Sequence, residues 1–290
     1  MYFILRILSK IFQFFPRKIL LAIGRTIGMI IFYLYPLRKS IALKNLSIAF
    51  PRYNTKEKKR LLKSCYKHYG MVLVDFFCLP KFKKKKDKVV ANMPTDSITL
   101  MNRYEGGILL SAHIGNWEYI GPILSNYNIK CAGVTLVQKN SQSDKFFNKL
   151  RTSEHMKIIP ANSGSKTMLQ HINDGYYLGL ISDQNAGSRG TKSMFFNRPV
   201  SVPKGAAVFH LKTNTPIVVG FCILCEDLHY ELSFQEMDLE GLPEDFDDAI
   251  IEINDRFTKI LEEKVKEYPE QYFWFHRKWN LEAYEGISNY

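Results

Sequence analysis

The chain has 290 residues, 46% of them hydrophobic, which is enough for one large domain or two small ones with a sizeable core. Its formal net charge of +12 indicates an anionic partner, which would be nucleic acid, anionic lipid headgroups or an acidic carrier protein. The five cysteines are an odd number without the spacing of a disulfide framework, so we expect reduced thiols.

The N-terminal 37 residues are strongly apolar and lack a convincing signal-peptide cleavage site. Residues 19–37 carry one charge, Arg25, and approach the length of about 20 residues that crosses a bilayer. Tyr33 and Tyr35 are typical of a membrane interface. We therefore expect residues 1–37 to form an N-terminal membrane-anchoring helix, either spanning the bilayer or lying in its interface. The alternative is a buried helical hairpin of a soluble domain.

Two helices are predicted next, one ending before Pro51 and one over residues 55–79. Residues 81–88 contain six lysines. This run is typical of a solvated loop, but beside a membrane anchor we favour contact with anionic headgroups or an acidic carrier, where each lysine contributes about 1 kcal/mol.

From residue 108 onward, apolar runs predicted as strands alternate with amphipathic helices. The pattern predicts an α/β fold for residues 38–290, with a central mixed sheet covered by helices. The predicted strands are 108–110, 131–137, 156–159, 177–182, 217–224 and 230–237, and the predicted helices are 145–154, 165–173, 204–212 and 245–267.

The first of these strands runs into His113-Ile114-Gly115-Asn116-Trp117-Glu118. A histidine at a strand end with a carboxylate five positions later is the pattern of a general base and its orienting partner. On one continuous helix the two side chains would diverge by about 140°, so they meet only if the chain turns between them. Gly115 permits such a turn, and Asn116 can cap a helix that follows it. The alternative is a chance pairing of two common residues.

The strand at 177–182 ends in Asp183-Gln184 and a glycine-containing loop. In open α/β sheets ligands bind beyond the carboxyl ends of the strands, so this loop is predicted to face a ligand. Cys222 and Cys225 have Cys-x-x-Cys spacing but lie in a predicted strand, and no second pair completes a zinc site. We expect buried thiols there, and no metal.

Four blocks stand in one order along nearly the whole chain and together resemble the late acyltransferases of lipid A biosynthesis, relatives of the glycerolipid acyltransferases. The most specific block is His113-Ile114-Gly115-Asn116-Trp117-Glu118. The others are Asn45-Leu46 with Ala49-Phe50-Pro51, Asp183-Gln184 with Gly187 and Phe195-Phe196, and Tyr268-Pro269-Glu270-Gln271-Tyr272-Phe273-Trp274.

This resemblance implies a glycerolipid-acyltransferase-like enzyme of lipopolysaccharide biosynthesis at the cytoplasmic face of the bacterial inner membrane. It would move a fatty acyl group from acyl carrier protein to a hydroxyl of an anionic lipid A precursor, without a cofactor. His113 would be the general base and Glu118 its partner. Arg151 would contact anionic substrate, and the further substrate-binding candidates are Asn116, Asp183 and Gln184.

Two departures from the family pattern leave the acceptor open. Val137-Gln138-Lys139 replaces a Tyr-Arg-Pro type segment, and Asn197 stands where glycine often follows Phe-Phe. A lysophospholipid, an amino-acid lipid or another glycolipid are alternative acceptors. A non-catalytic basic membrane-binding protein is an alternative of a different class. No recognition motif supports nucleic-acid binding, so we expect none.

Overall fold

The computed structural model describes residues 1–85 and 91–287. Its helices are α1 (Tyr2–Phe14), α2 (Arg17–Leu34), α3 (Lys39–Ala49), α4 (Thr55–Phe77), α5 (Leu79–Lys85), α6 (Thr95–Arg103), α7 (Ile120–Asn126), α8 (Ser141–Arg151), α9 (Gly164–Asn173), α10 (Gly205–Thr213) and α11 (Phe246–Glu267). Its strands are β1 (Ala91–Asn92), β2 (Gly107–Ser111), β3 (Cys131–Thr135), β4 (Met156–Pro160), β5 (Tyr177–Ile181), β6 (Thr191–Phe195), β7 (Arg198–Val202), β8 (Ile217–Leu224) and β9 (Tyr230–Glu236).

The central sheet has the strand order β1-β9-β8-β2-β5-β3-β4. Strands β8, β2, β5, β3 and β4 run parallel to one another, β9 pairs antiparallel with β8, and β1 pairs parallel with β9. Helices lie in the connections between the parallel strands, because two parallel strands can be joined only by a long crossover. The predicted mixed sheet covered by helices is therefore confirmed.

Two hydrophobic cores lie on the two faces of this sheet, because successive strand side chains point to opposite faces. Ile108 and Leu110 of β2 join the core that contains α3, α10 and α11. Leu109 between them joins the core that contains α6, α7 and α8. Strands β2 and β8 are buried along their whole length, as expected for central parallel strands.

The N-terminal region forms two helices rather than one, because Pro16 separates α1 from α2. One face of α2 packs closely on α4 through Gly24 and Gly28. A Cβ atom at Gly28 would lie 2.0 Å from the carbonyl oxygen of Tyr66, so only glycine permits this approach. Among the described residues no single helix has the length and composition of a membrane span; α2 and α3 reach them only as a pair bent by 98°.

The lysine run at 81–88 lies partly outside the described residues. Within α5, Lys83 donates hydrogen bonds of 2.7 Å to the carbonyl oxygens of Leu150 and Thr152 at the end of α8. A cation is stabilised there because the helix end exposes unpaired carbonyls. Burial lowers the pKa of Lys83 to about 8. Lys83 thus binds carbonyl oxygens of its own chain, and the contact of the lysine run with anionic headgroups or an acidic carrier stays a prediction.

Candidate active site

The loop after β2 is fixed from two sides. Gly115 donates its N–H to Gln271 O at 2.9 Å, and Asn116 donates to Cys222 O at 2.8 Å. Gly115 has a φ of 61°, and a Cβ atom there would lie 1.9 Å from Cys222 O, so this turn requires glycine. The side chain of Gln271 bonds both N–H and C=O of Leu224, at 3.0 and 2.8 Å. The segment after α11, residues 268–287, is called the C-terminal segment. It thus holds the loop that presents His113.

His113 is oriented by Asp183. The Nδ1 atom of His113 lies 2.7 Å from Oδ1 of Asp183, and the Asp183 side chain is buried. Burial alone would lower the pKa of His113, but the charge and hydrogen bond of Asp183 outweigh it and raise that pKa. Burial alone would raise the pKa of Asp183, but His113 and Lys278 lower it to about 2. Asp183 is therefore ionised at neutral pH and favours the Nδ1–H tautomer of His113.

Lys278 supports this pair from the C-terminal segment. Its buried ammonium donates a hydrogen bond to the carbonyl oxygen of Asp183 and lies 4.7 Å from the centroid of the Phe195 ring. Burial lowers the pKa of Lys278 to about 8, partly opposed by Asp183. Lys278 could not be predicted from the sequence, because one lysine among many gives no sign that its side chain is buried.

Gln184 lies at the other nitrogen of His113. Its Nε2 is 3.4 Å from Nε2 of His113 and 2.8 Å from Nε2 of His276. Burial, with repulsion from His113, lowers the pKa of His276 to about 4, so His276 is neutral at pH 7. The amide N–H of Gln184 points at Nε2 of His113 and can donate to it. This fits the tautomer in which Nε2 of His113 is unprotonated and has an available electron pair. His276 was also not predicted from the sequence.

Glu118 does not orient His113, so the predicted pairing is wrong. Its two carboxylate oxygens accept from Nε and Nη2 of Arg151 at 2.7 and 2.6 Å, a bidentate pair that is mostly buried. Burial alone would lower the pKa of Arg151, but the hydrogen bond and charge of Glu118 outweigh burial and raise that pKa. The orienting carboxylate is instead Asp183, which follows β5. Strand β5 lies beside β2 in the sheet, and the sequence around His113 does not reveal that adjacency.

Two other residues that were predicted to bind substrate do not line the cavity next to His113. Asn116 is fully buried beneath the loop, and Asp183 is buried against His113, so the lining of the neighbouring cavity includes neither. Of the predicted site residues, His113, Glu118, Arg151 and Gln184 do line that cavity. Trp117 also lines the cavity, and its ring centroid lies 4.7 Å from that of His113.

The cavity has a volume of about 320 Å³ and extends from His113 across β2, β5, β3 and β4 beneath α7. Its floor is made of small residues: Gly133 of β3 stands opposite Gly179 of β5 in the register. The side chain of Met156 lies over this floor. A Cβ atom at Gly133 would lie 2.9 Å from Met156 Cε, and a Cβ atom at Gly121 of α7 would lie 2.5 Å from Met156 Sδ. The result is a narrow apolar slot ending at a flexible thioether.

All five cysteines are free thiols. Four are buried as expected, but Cys225 is half-buried at the β8–β9 turn, which corrects the prediction for that thiol. Cys225, Asp227 and His229 hold potential ligand atoms within 4.8 Å of one another. Asp227 and His229 are hydrogen-bonded to each other there.

Known proteins with similar sequences identify the family of this chain. A sequence model of the bacterial lipid A biosynthesis acyltransferase family matches residues 1–280. The chain is 22% identical over 281 residues to the lipid A biosynthesis palmitoleoyltransferase of Escherichia coli (strain K12), covering 95% of this chain and 89% of that protein. The lipid A biosynthesis acyltransferase of Shigella flexneri matches with the same identity and coverage. The chain therefore belongs to the bacterial lipid A biosynthesis acyltransferase family, and it is an O-acyltransferase.

Proposed function

We propose that this enzyme transfers a fatty acyl group from acyl carrier protein to a hydroxyl of a lipid A precursor, with His113 as the general base. The observation that carries the proposal is His113 itself: Asp183 lies at its Nδ1, and the side chain of His113 lines the slot. Membership of the family supports the lipid A precursor as acceptor.

The reaction needs no covalent enzyme intermediate. Nε2 of His113 accepts the proton of the acceptor hydroxyl. At the same time the hydroxyl oxygen attacks the carbonyl carbon of the thioester and forms the new C–O bond. The tetrahedral intermediate collapses, the C–S bond breaks, and the imidazolium returns the proton to the departing thiolate. Asp183 stabilises the imidazolium between the two proton transfers. The positively charged Arg151, balanced by Glu118, lies at the cavity entrance and favours a polar donor group there.

The slot would hold the hydrocarbon chain of the donor. Its lining along the sheet and α7 is mainly apolar, and the paired glycines leave space between the sheet and α7. A thioester at the entrance then lies beside His113. The carrier protein is acidic and the lipid acceptor is anionic, so the net charge of +12 favours both encounters.

We also propose attachment to the cytoplasmic face of the bacterial inner membrane. Helix α1 exposes an apolar face, on which Phe3 is 70% and Phe14 89% exposed. Helices of this kind bury their apolar face at the lipid headgroup boundary, and nearby Arg6 and Lys10 suit anionic lipid. Residues 1–37 would be the anchor and 38–290 the acyltransferase domain.

The direct test offers purified protein an acyl-carrier thioester and, in separate reactions, a lipid A precursor and a lysophospholipid. Mass spectrometry of the products should show an added acyl ester on the lipid A precursor. Transfer only to the lysophospholipid would contradict the proposed acceptor while leaving the mechanism intact.

A further inference from the structure

A second apolar cavity, of about 330 Å³, lies between α2, α4 and the C-terminal segment. It shares no lining residue with the slot at His113. We call it the α2–α4 groove. Its walls are formed mainly by Ile31, Leu37, Tyr66, Leu73, Phe273 and Phe275.

The inner end of the α2–α4 groove lies next to the segment that presents His113. The hydroxyl of Tyr69, which lines the groove, donates to the carbonyl oxygen of Gln271 at 2.6 Å and also lies 3.2 Å from the carbonyl oxygen of His113. Phe273, which also lines the groove, donates its N–H to the same His113 oxygen at 2.9 Å, and its ring centroid lies 6.1 Å from that of His113. The groove is therefore adjacent to His113 and separate from the slot.

The outer end of the groove opens on an exposed apolar surface. Leu37 and Leu73 line the groove and are 65% and 44% exposed. Ile30 and Leu34 of α2 are also exposed. An apolar groove continuous with an apolar surface suits the entry of a hydrocarbon chain from a bilayer.

Two lysines are chain neighbours of groove-lining residues, Lys39 beside Arg38 and Lys67 beside Tyr66, and Lys63 lies about one turn before Lys67 on α4. Lys63 donates a hydrogen bond of 3.0 Å to the hydroxyl of Tyr33, and Lys63, Lys39 and Lys67 lower the pKa of that phenol. In the part of the chain that the structure describes, none of these lysines forms an ion pair with a carboxylate. Their positive charge is thus available to an anionic group such as a phosphate.

We propose that the α2–α4 groove binds one acyl chain of the lipid acceptor, with Lys39, Lys63 and Lys67 binding its phosphate. This rests on the proposed function, in which the acceptor is a phosphorylated lipid. Two hydrocarbon substrates must meet at His113; His113 lines the slot, and Phe273 of the α2–α4 groove contacts it. The acceptor suits the groove because it arrives from the membrane and carries both features together, a chain and a phosphate.

The test compares Leu73→Glu and Leu37→Glu with Ile251→Glu as a matched control. Ile251 is 38% exposed on α11, outside both cavities, so all three changes place a carboxylate at a partly exposed helix or loop position. Circular dichroism verifies folding. The reactions use a lipid A precursor and an acyl-carrier donor. Each groove substitution should raise the KM for the precursor by about tenfold or more, because a carboxylate in the apolar groove weakens binding of a hydrocarbon chain. The KM for the donor should stay within about twofold, as should every parameter of the control.

A second arm tests the phosphate. Lys63→Gln with Lys67→Gln should raise KM for the phosphorylated precursor but not for the same precursor without phosphates. Equal increases in the KM of donor and acceptor, or losses that follow only binding to anionic vesicles, would overturn the proposal. Absence of any transfer by wild-type protein would instead contradict the proposed function.

Discussion

His113 and Asp183 occupy equivalent places after two adjacent strands. Ser111 of β2 stands opposite Ile181 of β5 in the parallel register, and each functional residue follows its strand by two positions. The equal offset brings Nδ1 and Oδ1 to 2.7 Å. The adjacency of β2 and β5 therefore brings the two residues together, and hydrogen bonds from Phe273 and Lys278 to their carbonyl oxygens hold them in place.

This pair determines the pH dependence of the reaction. The pKa of His113 lies above its ordinary value of 6.5, because Asp183 stabilises the imidazolium. Below that pKa the ring is protonated and cannot accept a proton, so kcat/KM should rise with pH and level off above it. In Asp183→Asn the stabilising charge is removed, and the midpoint should move to lower pH. The measurement is kcat/KM against pH for both proteins; an unmoved midpoint would show that Asp183 does not control His113.

Glu118 and Arg151 should behave as a coupled pair. Removing either one leaves a mostly buried charge without its partner, which is costly, whereas removing both leaves none. Urea unfolding of Glu118→Gln, Arg151→Met and the double variant should give a coupling energy of about 0.5–3 kcal/mol. Additive effects on the free energy of unfolding would mean that the ion pair has no structural role. Glu118→Gln should also shift the kinetic pKa less than Asp183→Asn does.

The floor of the slot should determine donor chain length. Met156→Ala removes the thioether that covers Gly133 and deepens the slot, so longer acyl chains should be favoured. Gly179→Ala adds a methyl group in ordinary contact with its neighbours, at 3.5 Å from Gly133 Cα, and should favour shorter chains. One methylene in a hydrophobic pocket changes selectivity by about 10- to 200-fold.

The measurement is kcat/KM for a series of acyl-carrier donors that differ in chain length. Ile159→Ala is the matched control, because Ile159 lies on the same strand but is buried in the core on the other face of the sheet. An unchanged length profile in Met156→Ala, or the same change in Ile159→Ala, would rule out the slot as the chain site.

Membrane attachment should depend on the exposed face of α1. Phe3→Ser with Phe14→Ser removes two large side chains that contact little of the protein, so the fold should be retained. Binding to anionic vesicles, measured by flotation, should weaken because each buried aromatic contributes about 1.5–3 kcal/mol. Met194→Ser, at an exposed apolar position on the β6–β7 hairpin, is the control. Equal flotation of all three proteins would contradict an interfacial role for α1.

Much of the fold could be predicted from the sequence because its apolar runs are bounded by clear turns. Strand β8 was predicted with the correct ends, and the other predicted strands lie within two residues of those observed. The β6–β7 hairpin was missed. Phe196 and Asn197 form its two-residue turn with φ of 50° and 57°, values that asparagine tolerates better than most residues. Asn197 is thus a turn residue, which explains how it can replace glycine.

The candidate site could be predicted only in part. His113 was identifiable from its position after an apolar run, whereas Glu118 was chosen as its partner because it is near in sequence. Asp183 was recognised as a residue at a ligand-facing strand end, but its role depends on β5 lying beside β2. Strand order, and the burial of Lys278 and His276 by a distant segment, arise from long-range contacts that local patterns do not contain.

The central claim, that His113 is the general base, is tested most directly by the initial rate of acyl transfer from an acyl-carrier thioester to a lipid A precursor. His113→Gln keeps a polar side chain of similar reach but cannot accept the proton. With folding verified by thermal unfolding, its kcat should fall by about 10²- to 10⁴-fold, the usual contribution of a general base. A wild-type rate from folded His113→Gln protein would contradict the mechanism.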